Sequence, residues 1–81
     1  MNLAKCISHR IREILFSKNI TQYKLEMLSG ISHGTMNSLL NCRYNAANIK
    51  TVFIIIQALE MTVLEFFDCP LFADLYNIDL D

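Results

Sequence analysis

Eighty-one residues suffice for one compact core and are too few for two. Apolar residues make up 53%, with 2 Gly and 1 Pro; this excludes a disordered chain and disfavours a small all-β domain, which needs a turn roughly every 8–12 residues. The net charge of −1 hides a split: residues 1–50 carry seven Lys/Arg against Glu13 and Glu26, a net +5, whereas residues 51–81 carry six acids and no base.

Leu3, Ile7, Ile11, Ile14 and Leu15 recur at helical spacing and predict a first helix over 3–18. Lys5, Arg10, Arg12 and Glu13 fall on its other side, a solvated face or, for the three bases, one turned toward a polyanion. Asn19-Ile20 breaks the pattern. Thr21 is an N-cap for a short helix from Gln22 to Ser29 burying Leu25 and Leu28, and Gly30 ends it. Ser32 caps a third helix, His33 to Leu40, with Met36 and Leu39 inward. Residues 41–48 are polar, hold three Asn and predict a loop. Asn48 caps a fourth helix, Ile49 to Leu59, burying Ile49, Val52, Ile55, Ile56 and Leu59. Thr62-x-x-Glu65 is a capping box opening a fifth, Val63 to Phe67, which Pro70 stops. The expected fold is all-α with five helices. Residues 1–70 form one domain and residues 71–81 an acidic and apolar tail, either a docked turn or a frayed end.

Cys6, Cys42 and Cys69 are odd in number and far apart, and neither His9 nor His33 stands at ligand spacing to a Cys. No metal site, cofactor or disulfide framework is expected, and three thiols suit a reducing cytoplasm. The N-terminus lacks an apolar signal core. The longest apolar run, residues 52–56, is far shorter than the ~20 residues of a membrane span. No paired carboxylates, Ser/His/Asp set or glycine-rich phosphate loop points to an enzyme or to a small-molecule ligand.

The informative stretch is Gln22 to Asn41: two short helices joined at Gly30-Ile31-Ser32, a helix-turn-helix. The outer face of its second helix holds Ser32, His33, Gly34, Asn37, Ser38 and Asn41. Short, neutral donors and acceptors of this kind suit base edges in a major groove, where Asn pairs with adenine in a bidentate way.

Residues 21–25, 30–36, 49–59 and 61–67 together resemble the phage-repressor/Cro (xenobiotic-response-element type) helix-turn-helix family, over about Arg10 to Phe67. The resemblance implies a lambda-repressor-like domain that binds double-stranded DNA and regulates transcription. By the same resemblance, Gln22 bonds a phosphate and braces the recognition helix. His33, Gly34, Asn37 and Ser38 face bases, and Ser32 meets a phosphate or a base. Asn41, Arg43, Tyr44 and Asn45 contact the backbone. Four positions depart from the family pattern. Glu26 replaces a small residue and must be paired, or its helix must sit further out. Leu15 and Leu40 replace an Arg and a Glu that can pair across helices, so an ion pair has become an apolar contact. Cys42 replaces the Gly that ends the recognition helix, so Asn41 or Asn45 is expected to supply the positive φ.

Phe16, Phe53 and Ile54 need cover, and at Phe16 and Ile54 the family pattern tends to be polar. Either the tail covers them, through Leu71, Phe72, Leu75 or Tyr76, or a second copy does, giving a homodimer interface that includes Phe53, Ile54, Phe67 and Phe72. The expected function is a dimeric repressor on a near-palindromic operator. The alternative is a protein-interaction module of the same fold, such as an antitoxin or adaptor using the apolar fourth helix. No effector domain is expected to follow the DNA-binding unit.

Overall fold

The computed structural model describes residues 2–43, 48–74 and 78. Its helices are α1 (Leu3–Lys18), α2 (Gln22–Ser29), α3 (His33–Leu40), α4 (Ile49–Ala58) and α5 (Val63–Phe67), followed by a 3-10 turn, Pro70–Phe72. The all-α, five-helix reading holds, with α4 one residue shorter because Leu59 is its C-cap. Each helix begins where a side chain caps it. Asn2, Thr21, Ser32, Asn48 and Thr62 each accept a backbone N–H from the first turn, and the Thr62–Glu65 capping box is complete in both directions.

The core gathers Ile7, Ile11, Ile14 and Leu15 of α1, Leu25 of α2, Met36 and Leu40 of α3, Val52, Ile55 and Ile56 of α4, then Leu59 and Phe66. Leu15 and Leu40 are both buried in it. Two expected core residues lie outside. Leu28 is half exposed and Ile49 largely so. α2 packs against α3 and α4, and α4 against α2 and α5; a residue past the edge of those contacts stays in solvent however apolar it is. The tail is a docked turn at its described positions. Cys6 Sγ donates to the Leu71 carbonyl, Phe72 packs edge-on to Phe67, and Ile78 is buried. These contacts leave Phe16 and Phe53 exposed. Leu75 and Tyr76 lie outside the described residues.

Three helices end on a left-handed residue that is not glycine: Asn19 after α1, Cys42 after α3 and Glu60 after α4. In each, the following N–H reaches back five residues: Ile20 to Leu15, Arg43 to Ser38 and Met61 to Ile56. That bond is the Schellman closure, and it fixes where the positive φ must fall. The expectation for α3 is therefore corrected. Cys42 itself adopts φ 53°, while Asn41, one position too early, stays at φ −98°. Because a side chain in this region is strained by about 1–2 kcal/mol, partly offset by the flexibility of glycine, Cys42→Gly should stabilise the protein by about 0.5–1 kcal/mol. A shifted urea midpoint at unchanged slope would show it. Cys42→Ala, which keeps the strain, should not gain.

Candidate nucleic-acid interface

α2, the Gly30 turn and α3 form the helix-turn-helix. Gly30 takes φ 74° and returns its N–H to the Glu26 carbonyl, so the chain reverses within three residues. Met36 and Leu40 are buried, which turns Gly34, Ser38 and Asn41 to the opposite side and leaves His33 and Asn37 beside the buried strip. His33, Gly34 and Asn41 are exposed, and Asn37 and Ser38 are half-buried at the edge of the face. Ser32, also exposed, accepts the Thr35 N–H and donates to the Thr35 hydroxyl. Its oxygen is thus committed first to capping. Asn41 Nδ2 donates to both the carbonyl and Oδ1 of Asn37, each at 2.9 Å. Since Asn37 Oδ1 accepts there, its own Nδ2 is turned away, and the second lone pair of Oδ1 remains available. Arg43 is exposed just beyond the helix; Tyr44 and Asn45 lie outside the described residues.

The C-terminal end of α3 is held by α1. Buried Ser8 donates to the Leu40 carbonyl at 2.6 Å, and Arg12 Nη2 donates to the same oxygen at 3.2 Å. Ser8 and Arg12 are one turn apart on α1, and together they satisfy a carbonyl that the helix cannot. Arg10 does the same for α5. Its Nε bonds the Phe66 carbonyl at 2.6 Å and its Nη2 the Glu65 carbonyl at 2.8 Å, while Nη1 pairs with Glu13. The picture of Arg10 and Arg12 as a simple solvated face is therefore corrected, since α1 uses them to fasten two other helices. Lys5, His9, Lys18, Lys24 and Lys50 are exposed.

Glu26 is paired, as a nearly covered carboxylate has to be. Its Oε2 accepts from Gln22 Nε2 at 3.0 Å and lies 2.9 Å from His33 Nδ1. The Gln22 hydrogen bond is the main cause that holds this carboxyl below its ordinary value; the bond and charge of His33 add to it, against some desolvation. Sequence reasoning identified Glu26 as anomalous and Gln22 and His33 as site residues, but did not connect them. The i, i+4 spacing of Gln22 and Glu26 was the available signal. Ser8 and Thr35, which is exposed on α3, were also missed.

Among the described residues no group of three or more His, Cys, Asp or Glu side chains could hold a metal ion, and no helix is long and apolar enough to cross a membrane. No curated protein and no solved structure matches the chain. The family model of the Cro/C1-type helix-turn-helix DNA-binding domain matches residues 10–76. With the capped helix pair, the polar face of α3 and a family match over most of its length, the chain belongs to the Cro/C1-type helix-turn-helix DNA-binding family and is a DNA-binding regulator.

Proposed function

We propose that the protein is a cytoplasmic, sequence-specific transcriptional repressor, non-catalytic and without a cofactor, that binds a near-palindromic operator as a homodimer. The observation that carries this reading is the single outward face of His33, Gly34, Asn37, Ser38 and Asn41 on a helix secured at both ends, by the Ser32 cap and by Ser8 and Arg12. Gln22, Ser32, Asn41 and Arg43, with Tyr44 and Asn45 of the loop, contact phosphates; His33, Gly34, Asn37 and Ser38 face bases. Residues 1–70 are the DNA-binding unit and residues 71–81 its tail.

Dimer formation is supported by an open groove lined by Phe53, Ile54 and Val63, beside Leu64, which is 83% exposed. Phe67 and Phe72 spend part of their rings on each other, so their share of an interface is smaller than that of Phe53 and Ile54. Isologous pairing would set two recognition helices about 34 Å apart, one turn of DNA.

Selection of bound fragments from a random DNA pool tests the function, the half-site and its spacing together. On the selected operator Asn37→Ala should cost roughly 1–3 kcal/mol, with much less effect on random DNA. An equal loss on both would remove Asn37 from base reading. No enrichment, and no gel shift at micromolar protein, would favour the protein-interaction module, for which Phe16 at 90% exposure is a ready contact.

A further inference from the structure

Glu26 is the anchor of the two residues that open the helix-turn-helix. Gln22 begins α2 and His33 begins α3, and both meet one oxygen of a carboxylate whose side chain is only 11% exposed. The His33 side chain, by contrast, is 76% exposed. An ionised carboxylate can only accept hydrogen bonds, so Gln22 must turn its amide nitrogen toward Glu26 and His33 must carry hydrogen on Nδ1. The ring then has one nitrogen left for DNA, Nε2.

We propose that Glu26 is a positioning residue for base recognition: by holding Gln22 Nε2 and His33 Nδ1 on one oxygen, it makes the imidazole present Nε2 alone to the major groove. This rests on α3 being the recognition helix. When the imidazole is neutral, Nε2 lacks hydrogen and is an acceptor. Its partners are then the amino groups of adenine N6 and cytosine N4. An untethered ring exchanges its proton between the two nitrogens and can equally donate to guanine N7 or O6. Glu26 therefore narrows the set of bases that His33 reads. The same bond leaves the second hydrogen of Gln22 Nε2 for a phosphate, so one carboxylate organises a phosphate contact and a base contact on two helices.

The test uses the full chain as wild type, Glu26→Ala and Glu26→Gln. Alanine is the strongest helix former, and removing a carboxylate at 11% exposure leaves no buried charge behind, so Glu26→Ala should fold, which circular dichroism checks. Imidazole ¹⁵N spectra of the free protein at about pH 8.5, well above the ordinary histidine range, should show hydrogen on Nδ1 in the wild type. The hydrogen should shift to Nε2, the form free imidazole favours, in Glu26→Ala. Glu26→Gln, which keeps an acceptor oxygen, should restore Nδ1–H. Selection from random DNA at the same pH should give the wild type adenine or cytosine opposite His33. Glu26→Ala should lose that preference by about tenfold in relative affinity while preferences elsewhere in the half-site persist. The same tautomer in wild type and Glu26→Ala, or unchanged base preferences, overturns the proposal. A wild type that enriches no DNA overturns the DNA-reading function and the role of Glu26 in it. The ring spectra distinguish that failure, since they report the tether without DNA.

Discussion

Phe66→Ala is expected to cost about 3–5 kcal/mol, the largest loss from any single truncation in this domain. Phe66 has no exposed surface. Its ring meets Phe67 edge-on at 4.9 Å and Phe72 at 6.5 Å, and the Arg10 guanidinium lies 6.0 Å from its centroid. A five-residue helix has no stability of its own, so α5 stays in place through this ring, the capping box and the Arg10 bonds to the carbonyls of Glu65 and Phe66. Truncation empties the space where α1, α5 and the Pro70–Phe72 turn converge. A domain of this length has about 4–12 kcal/mol in total, so about a quarter or more of it would be lost. Chemical denaturation should show a much lower midpoint. Phe66→Leu, which keeps most of the volume, should lose clearly less. The α3 face is secured by Ser8 and Arg12, away from this ring. Operator affinity of Phe66→Ala should therefore fall with the folded fraction, and base preference within the folded fraction should persist.

What could be read in the sequence follows from the range of each interaction. The helices were legible because their signals are local: Thr21, Ser32, Asn48 and Thr62 cap within three residues, and the 3.6-residue period of Ile7, Ile11 and Ile14 names its own buried face, although the Asn2 cap of α1 went unread. The polar face of α3 was legible for the same reason, since Met36 and Leu39 indicate which side turns inward; Met36 is fully buried and Leu39 partly so. The roles of Arg10 and Arg12 were not. Their partners are main-chain carbonyls 56 and 28 residues away, and a carbonyl has no residue type by which to be recognised. Leu28 and Ile49 failed differently: hydropathy says that a side chain prefers burial, not that a neighbour reaches it. At Glu26 the anomaly was visible, but the second partner, His33, comes close only after the chain turns at Gly30. The sequence pattern was thus strongest for elements and weakest for the polar bonds that hold one element against another.

Leu40→Glu is the sharpest test of how α1 and α3 are joined. Leu40 is 3% exposed and Leu15 7% exposed in the same core. A lone carboxylate at position 40 would be buried without a cation of its own, and Arg12 is already engaged at the Leu40 carbonyl. The expected cost is about 3–5 kcal/mol. Leu15→Arg should cost less, about 1–3 kcal/mol, because its long side chain can carry its charge to the nearby surface. If the two positions face each other, the double variant should recover about 2–3 kcal/mol relative to the sum of the singles, yet remain at or below the wild type, since a buried pair rarely exceeds the apolar contact it replaces. Denaturation of the four proteins closes the cycle. Additive losses would show that Leu15 and Leu40 do not meet and that the exchange of charge for leucine is not one event. A functional consequence accompanies the energetic one. The Leu40 carbonyl is where Ser8 and Arg12 hold the end of the recognition helix, so the single Leu40→Glu variant should lose operator affinity beyond its loss of folded protein, and the double variant should regain it as the α1–α3 contact closes.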